Sequence, residues 1–503
     1  MHSKTLQIVR IPLVLIAFFG AVSLSVNFAE AQYATTKAPP ENLKTGFDSI
    51  TEEQAIDFLS VLAGPEFEGR GTGQVGYMKA AHWVAGKLAE FGLEPAGNGE
   101  TYFQMMPLTR RVAVMDKCEV LGPDGFKIAG QGNVGFDRLT DAGEVSGKVV
   151  FLNLKGKAAA LPEDLNLRDK IVIYSADKEA AGRAPFLIAR KRPSASMRVI
   201  KDTPISIAQN LFSGRRRRAT SVSGTIKFEA AAEIAKAVDL KADWADKEGA
   251  TESEEEITIT IPMREESSAA PNVIAWLEGS DPELKDEYIV IGAHLDHLGI
   301  RNGKVYPGAD DNGSGSTAVL SIARAMALNP VKPKRSVLFM WFTAEEVGLL
   351  GSKYYTDNPI LPLDKMTCML NIDMVGRNED TGEGDRDSDN EGHIHLGGSK
   401  RGDNALHDLI LVANEHVGFE FEMDMESVWN RSDQINFYNQ GVPVAFMFGG
   451  MHPDYHQPSD QSAEINYKKI ASAGRLYYLA LHSAANHGRF EPNPKKESKR
   501  ESR

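Results

Sequence analysis

Apolar residues in the first folded part of the chain recur every three or four positions, as they do on one face of a helix. From about Thr51 the residues on this face are Ala55, Phe58, Leu59 and Leu62. A second such face ends at Phe91, where Gly92 is a typical helix stop. The segment Gly69–Gly73 between them is rich in glycine and predicts a flexible loop. The pattern therefore predicts two amphipathic helices joined by a loop.

From about Val112 to Glu265 the helical period gives way to short apolar runs of strand length. These runs are Lys148–Leu152, Lys170–Tyr174, Met197–Ile200 and Thr258–Ile261. Gly, Asp and Pro residues separate them, which is typical of turns between strands. The pattern predicts a compact β-rich unit with one or two helices.

From Pro271 onward, strand-like and helical stretches alternate. Strands are indicated at Asn272–Leu277, Tyr288–Gly292, Ser336–Phe342, Cys368–Met374 and Val442–Phe448. Helical stretches between them include Ser314–Leu328 and Ala405–His416. Alternation of this kind predicts an α/β fold, in which a mostly parallel mixed sheet is sandwiched by helices. The β-rich unit is then an insertion in this fold.

The composition excludes several classes of protein. The 503 residues include 42% hydrophobic and 25% charged residues, which is typical of a soluble globular chain of two or three domains. A formal net charge of -13 argues against nucleic acid as a partner, because phosphate backbones select basic surfaces. The chain has only two cysteines, Cys118 and Cys368, which excludes a disulfide scaffold.

The N-terminal segment, residues 1–31, has the pattern of a signal peptide. Lys4 and Arg10 precede an apolar run, and Ala29–Ala31 fits a small-x-small cleavage site. This predicts export to the periplasm or the extracellular space, with no stable membrane insertion once the segment is cleaved. An uncleaved membrane anchor is the alternative, but Pro12 and the shortness of the run favour cleavage.

Five candidate metal ligands occur in the α/β part, and four of them follow an apolar strand. The five are His294, Asp311, Glu346, Asp373 and His456. Asp311 lies instead in the segment Gly308–Gly315, just before a predicted helix. Side chains at the carboxyl ends of strands in an open α/β sheet gather at one edge, so we expect these residues to meet. Two histidines, two aspartates and one glutamate suit zinc or another divalent first-row ion.

Asp311 is the natural bridge if two ions lie about 3.5–4 Å apart. One ion would then be bound by His294 and Asp373, and the other by Glu346 and His456. Taken singly, each residue also fits a structural role, such as a turn, a helix cap or a charge pair at a helix N-terminus. Five such residues in matching positions are much more specific.

Two further acidic residues stand beside these ligands. Glu345, next to Glu346, is expected to take a proton from the attacking water and pass it to the leaving amine. Asp296, two residues beyond His294, is expected to accept the other ring N–H of that histidine and to fix its tautomer.

The motifs around these residues resemble those of the secreted two-zinc aminopeptidases, a leucyl aminopeptidase-like family related to glutamate carboxypeptidase, glutaminyl cyclase and the transferrin receptor ectodomain. The segments that carry the resemblance are Gly292–Asp296, Gly308–Gly315, Thr343–Ser352, Asn371–Gly376 and Asp454–His456. Glu66–Gly73 is similar to the N-terminal part of that family. By resemblance, the five candidates are the ligands of two Zn²⁺ ions, Glu345 is the general acid/base, and Tyr455 stabilises the oxyanion.

The resemblance also implies a domain organisation. Residues 45–111 would be the N-terminal part of the catalytic domain, and residues 269–487 would form the rest of it. The β-rich unit, 112–268, resembles an inserted protease-associated domain. The polar and basic tail, 488–503, is expected to be disordered.

The expected function is that of an exported zinc-dependent exopeptidase, which hydrolyses N-terminal residues from peptides with a zinc-activated water and a Glu general base. Its partners would be peptides with a free N-terminus, and no feature of the sequence indicates an oligomeric state. A carboxypeptidase on the same metal site is one alternative, with Arg377 or Arg431 holding the free carboxylate. A non-catalytic, receptor-like ectodomain is the other.

Overall fold

The computed structural model describes residues 36–138, 143–156, 160–203, 205, 210–212, 221–240, 242–246, 248–301, 303–380, 390–423 and 427–491. The expected signal peptide, 1–31, lies outside the described residues, as do residues 492–503 of the expected tail. Within the described ranges, no helix combines the length and the apolar character that a membrane span requires.

Helices and strands are numbered here in chain order over the described residues. The helices are α1 (Lys44–Ser49), α2 (Glu52–Leu62), α3 (Val75–Glu90), α4 (Ala184–Arg190), α5 (Phe228–Ala237), α6 (Gly315–Leu328), α7 (Leu350–Asp357), α8 (Ser399–Gly402), α9 (Asn404–Asn414), α10 (Gln434–Asn439) and α11 (Tyr467–Asn486). The strands are β1 (Glu94–Pro95), β2 (Phe103–Ala113), β3 (Glu119–Leu121), β4 (Lys127–Ala129), β5 (Val134–Arg138), β6 (Glu144–Leu154), β7 (Ile171–Ala176), β8 (Ala195–Ile200), β9 (Asn210–Phe212), β10 (Val222–Lys227), β11 (Gly249–Thr260), β12 (Met263–Leu277), β13 (Tyr288–His294), β14 (Gly299–Arg301), β15 (Lys304–Tyr306), β16 (Ser336–Phe342), β17 (Met366–Asp373), β18 (His393–Gly397), β19 (Glu420–Glu422) and β20 (Val444–Phe448).

The two helices that the apolar spacing predicts near the start are confirmed as α2 and α3. Thr51 caps α2, because its hydroxyl oxygen accepts a hydrogen bond from the Gln54 backbone N–H at 3.2 Å. Such a cap satisfies one of the backbone donors that the first helical turn leaves free. Helix α3 ends at Glu90, with Phe91 as its C-cap and Gly92 at a φ of 77° directly behind it.

The larger sheet has the strand order β19-β18-β20-β17-β13-β16-β12-β2-β9, with β1 paired to β12. The four strands at its centre, β20, β17, β13 and β16, are parallel neighbours. On the far side of β16, strands β12 and β2 continue the sheet in antiparallel order. The expected α/β fold with a mixed sheet is therefore confirmed, and the parallel pairing lies at its centre.

Both faces of the central strands are buried, which explains why these strands are continuous apolar runs. In β13, Ile289 and Ile291 belong to one hydrophobic core, which also contains residues of α2, α3, α6 and α11. Tyr288 and Val290 belong to a second core on the other face, together with residues of α7 and α10. Successive side chains of a strand point to opposite faces, so helices cover the sheet on both sides.

A second sheet of strands β4-β3-β11-β6-β7-β8-β10-β5 is built from the chain between β2 and β12. It has its own hydrophobic core, in which helix α5 packs on the strands. Strands β2 and β12 pair with each other from 103–113 to 263–273, so they run past the expected domain bounds of 112 and 268. Cys118 is buried in the core of this sheet and Cys368 in that of the larger one, and both are free thiols.

Candidate metal centre

The carboxyl ends of the central strands bring the predicted ligands to one edge of the sheet. His294 is the last residue of β13 and lies opposite Phe342, the last residue of β16. Asp373, the last residue of β17, lies opposite Phe448 at the end of β20. Because these strands are parallel and in register, the loops that follow them open at the same edge.

Asp311 reaches this edge from the turn that leads into α6. The carboxylate of Asp460 accepts hydrogen bonds from the backbone N–H groups of Asp310 and Asp311, at 2.9 and 3.1 Å. Gly308 begins this turn at a φ of 60°, and a Cβ there would lie 2.4 Å from the His297 ring. Only glycine combines that backbone conformation with such a close approach.

Two groups of side chains form around Asp311. On one side, the Nε2 atom of His294 lies 3.4 Å from Asp311 Oδ1 and 3.2 Å from Asp373 Oδ1. On the other side, the Nε2 atom of His456 lies 3.1 Å from Asp311 Oδ2 and 3.1 Å from Glu346 Oε2. The structure thus brings all five predicted ligands together, and each oxygen of Asp311 faces one group.

His297 also lies in the second group, although it is not among the five ligands that the sequence predicts. Its Nδ1 atom is 2.7 Å from Glu346 Oε1 and 3.7 Å from Asp311 Oδ2, and its side chain is fully buried. The backbone N–H of His297 donates to the Arg70 carbonyl oxygen. The sequence signal was the second histidine in the segment from His294 to Leu298, but a strand-end histidine is more often structural.

The donor set fits divalent metal ions on physical grounds. His297 Nδ1 and Glu346 Oε1 are buried and have no well-aligned hydrogen-bond partner among the described residues, although the two atoms are only 2.7 Å apart. Buried carboxylates are costly unless a cation or a proton compensates them, and Asp311, Glu346 and Asp373 all face this small space. Imidazole nitrogens and carboxylate oxygens at these separations are the donors that zinc takes.

Asp296 lies beside the centre but does not act as the sequence suggested. The ring Nδ1 of His294 lies 2.9 Å from the backbone carbonyl of Asp296, not from its carboxylate. The carboxylate accepts instead from the Thr72 hydroxyl at 2.7 Å and from the Glu345 backbone N–H at 3.0 Å. Burial raises the pKa of Asp296 to about 6. The expected contact with the carboxylate is therefore wrong, because the turn after β13 places the backbone oxygen of Asp296 next to the ring.

Glu345 is placed by a tight turn after β16. Ala344 has a φ of 57°, and this turn directs both Glu345 and Glu346 toward the centre. Glu345 Oε2 lies 3.9 Å from His294 Nε2, within the first group. Burial raises the pKa of Glu345 well above its usual value. A glutamate in this setting holds a proton more readily than one in water, which suits a group that both accepts and donates protons.

Asp433 is a further buried acid near this group. Its side chain is fully buried and neither carboxylate oxygen has a hydrogen-bond partner among the described residues. Burial raises the pKa of Asp433 to about 7, and Asp433 in turn raises that of Glu345. Asp433 occupies the N-cap position of α10, but its side chain makes no capping hydrogen bond within the described part of the chain.

Tyr455 stands at the mouth of the centre. Its ring stacks on that of His456, with centroids 3.8 Å apart, and its hydroxyl oxygen accepts from Arg431 Nη2 at 3.1 Å. Burial raises the pKa of the Tyr455 phenol, so the group stays a neutral donor. Arg377, the other predicted cation, is held by Asp454 at 3.1 Å.

A pocket opens from the centre and is lined mainly by apolar side chains beyond the ligands. Its lining residues include Met374, Val428, Arg431, Phe446, Phe448, Met451 and Tyr455, together with His294, Asp311, Glu345 and Asp373. A concave apolar surface with a few polar groups at one end is typical of a small-ligand site.

Arg70 ties together the loops that carry the centre. Its guanidinium group donates to four backbone carbonyls, those of Leu62, Leu295, Pro307 and Gly308, at 2.7–2.8 Å. The side chain is completely buried, and the φ of Arg70 is 53°. The glycine-rich segment around it is therefore a fixed support of the site, which corrects the expected flexible loop.

The α/β part of the chain is similar to known peptidases. Residues 272–481 match the model of peptidase family M28. Leupeptin-inactivating enzyme 1 of Streptomyces exfoliatus is 32% identical over 216 residues, which cover 43% of this chain and 43% of that protein. Aminopeptidase YwaD of Bacillus subtilis is 27% identical over 220 residues, covering 42% and 44%. The matched part thus spans less than half the length of these curated relatives.

Solved structures show the same fold over most of the chain. An aminopeptidase from Aneurinibacillus sp. strain AM-1 has a TM-score of 0.56 at 19% identity, covering 90% of this chain and 98% of that one. A zinc aminopeptidase from Bacillus subtilis has a TM-score of 0.54 at 18% identity, covering 88% and 98%. At this level of identity the likeness shows the fold alone.

Proposed function

We propose that this chain, whose residues 272–481 belong to peptidase family M28, is an exported two-zinc aminopeptidase that removes N-terminal residues from peptides. The ligands would be His294 and Asp373 for one ion, His456 and Glu346 for the other, with Asp311 between them. The observation that carries the proposal is the position of Asp311, which directs one oxygen to each group at 3.4 and 3.1 Å. The family match and the zinc aminopeptidase fold support it.

When bound, zinc would polarise the scissile carbonyl and lower the pKa of the attacking water. Glu345 would accept the proton of that water and deliver it to the leaving amine. Its backbone N–H is held by the buried Asp296 at 3.0 Å, which fixes the start of the side chain. The raised pKa of Glu345, caused by burial, suits both halves of this proton transfer.

Tyr455 is proposed to donate its hydroxyl proton to the developing oxyanion. The contact with Arg431 leaves the phenol proton available, because the tyrosine oxygen is the acceptor in that hydrogen bond. A preorganised donor of this kind stabilises charge that appears only in the transition state.

The pocket beside the ligands is proposed to receive the side chain of the N-terminal residue. Met374, Val428, Phe446 and Phe448 provide an apolar surface there, which favours an apolar side chain. His297 is proposed to orient Glu346 from its second oxygen. The unit around the second sheet, residues 112–268, is proposed to be an inserted protease-associated domain.

A carboxypeptidase activity is the second candidate, and the observation that favours it is Arg431. This guanidinium lines the pocket and would hold a free carboxylate. Arg377 is a poorer choice, since Asp454 already holds it. The receptor-like alternative would require loss of ligands or of the base, and Glu345 and the five ligands are all present.

Hydrolysis of aminoacyl-p-nitroanilides by the purified chain tests the proposal, with and without a chelator and zinc add-back. We expect chelator-sensitive release that is fastest with apolar aminoacyl groups. Glu345→Gln should lower kcat about 100- to 10,000-fold, the usual contribution of a general acid/base, at unchanged zinc content.

The matched control is Glu283→Gln, which changes an exposed glutamate and should leave kcat unchanged. N-terminally blocked peptides with a free C-terminus form the second panel. Cleavage of that panel alone would replace the aminopeptidase by the carboxypeptidase. A folded, zinc-loaded chain that cleaves neither panel would leave the receptor-like reading.

A further inference from the structure

We propose that Glu379, His395 and Glu422 form a further divalent-metal site, separate from the candidate metal centre. The three side chains each offer one ligand atom, and these atoms lie within 4.8 Å of one another. The proposed site lies at the edge of the larger sheet, on strands β18 and β19, and does not depend on the proposed function.

The strand register creates a paired array of histidines and glutamates. Strands β18 and β19 are parallel, with His393 opposite Glu420 and His395 opposite Glu422. Residues two apart on a strand share a face, so both histidines and both glutamates lie on one side of the sheet. Glu379 reaches the array from the segment that follows β17.

The separations suit ligands that share an ion. His395 Nε2 lies 3.2 Å from Glu379 Oε2, and His395 Nδ1 lies 3.8 Å from Glu422 Oε2. Donor atoms about 2.1 Å from a tetrahedral zinc ion are about 3.4 Å from each other. Only one nitrogen of His395 can bind the ion, and one oxygen each from Glu379 and Glu422, within 4.8 Å of that nitrogen, would complete the three ligands.

His393 supports Glu422 from the side. Its Nδ1 atom lies 2.8 Å from Glu422 Oε1, and its Nε2 atom lies 3.1 Å from Glu420 Oε2. With Glu422 Oε1 engaged in this way, Glu422 Oε2 is the oxygen that faces His395. Supporting contacts of this kind fix the orientation of metal ligands.

Burial and charge favour a bound cation over ion pairs between the histidines and glutamates alone. The His395 side chain is 9% exposed and that of Glu379 19%, so both are largely removed from water. Two carboxylates, from Glu379 and Glu422, face the His395 imidazole, and one protonated ring would not balance both. A divalent ion compensates both charges without protonating the ring.

An ion here would brace one wall of the pocket. Phe448, which lines the pocket, lies opposite His395 in the sheet, with ring centroids 5.8 Å apart. Glu379 Oε1 accepts a hydrogen bond from the backbone N–H of Met451, another lining residue, at 3.5 Å. Binding would therefore tie the edge strands to the segment that follows Asp373.

Zinc content measured after equilibration with zinc and desalting tests the site. We expect the zinc content of His395→Ala to be about one ion per chain lower than that of the unaltered protein. His82→Ala is the matched control, because it removes an exposed histidine on α3 and should keep the zinc content of the unaltered protein. Glu422→Gln, which keeps the side-chain volume, guards against a His395→Ala protein that fails to fold, and circular dichroism checks folding of each variant.

Asp311→Asn separates this proposal from the proposed function. It should lose zinc at the candidate metal centre, while the zinc that depends on His395 stays bound. If His395→Ala and Glu422→Gln fold and retain the full zinc content of the unaltered chain, the histidines and glutamates form only ion pairs and the proposal is wrong.

Discussion

Replacement of Arg70 by lysine is expected to weaken the support of the loops that carry the candidate metal centre, and so to lower both stability and metal affinity. The four acceptors of Arg70 are backbone carbonyls of α2 and of the loops before and after β14–β15, not the side chains of the predicted ligands. Two of them, in Leu295 and Gly308, lie close in sequence to His294 and Asp311. The substitution keeps the positive charge at neutral pH but removes the planar fork.

The magnitude follows from the hydrogen bonds. The single ammonium group of lysine, on a shorter side chain, cannot donate to carbonyls on both sides of the former guanidinium. We therefore expect at least two of the four carbonyls to lose their donor. A buried polar group left unpaired costs about 1–3 kcal/mol, which gives a loss of about 2–6 kcal/mol in the free energy of unfolding. Burial already lowers the pKa of Arg70 to about 10, and lysine starts from a lower pKa, so the charge is also held less firmly.

Urea unfolding followed by tryptophan fluorescence measures this loss, and competition with a zinc chelator measures metal affinity. Both should fall in Arg70→Lys. Arg168→Lys, at an exposed position of the second sheet unit, is the control and should change neither. A loss below about 1 kcal/mol in Arg70→Lys would refute the reasoning, because it would mean that no carbonyl was left unpaired.

Three shorter predictions follow from other contacts. Gly76→Ala places a Cβ 2.0 Å from the Phe67 carbonyl oxygen and should destabilise the fold by about 1–3 kcal/mol. Gly86→Ala, in open space on the same helix, should instead stabilise the fold by about 0.5–1 kcal/mol. Equal thermal midpoints of the two variants would contradict this prediction. Asp460→Ala removes the acceptor of two backbone N–H groups and should weaken zinc binding in a chelator competition, with unchanged affinity counting against a positioning role. Removal of zinc by a chelator should lower the melting temperature, since the ion stabilises only the folded chain, and zinc add-back should restore it; an unchanged melting temperature would speak against metal binding at these carboxylates.

Much of the site was predictable because it lies where strands end. An apolar run followed at once by His294 or Asp373 marks both the strand and its carboxyl end, and parallel strands bring those ends to one edge. The same logic predicted Glu346. The helices α2 and α3 were predictable from apolar spacing alone, since each buries a single face.

The supporting residues could not be predicted, because their roles depend on contacts between distant parts of the chain. Arg70 looks like a loop cation in the sequence, yet it is buried against carbonyls more than two hundred positions away. Asp460 orients Asp311 across a separation of 149 residues. Neither contact leaves a periodic or compositional signal.

Asp296 shows the same limit at short range. The sequence placed it correctly beside His294, but whether its carboxylate or its backbone oxygen faces the ring depends on the turn and on Thr72. The sequence by itself thus determined which residue types meet at the sheet edge, because period and strand order are local properties. Only the tertiary structure decided which atoms face each other, because packing of distant segments selects the partners of every buried polar group.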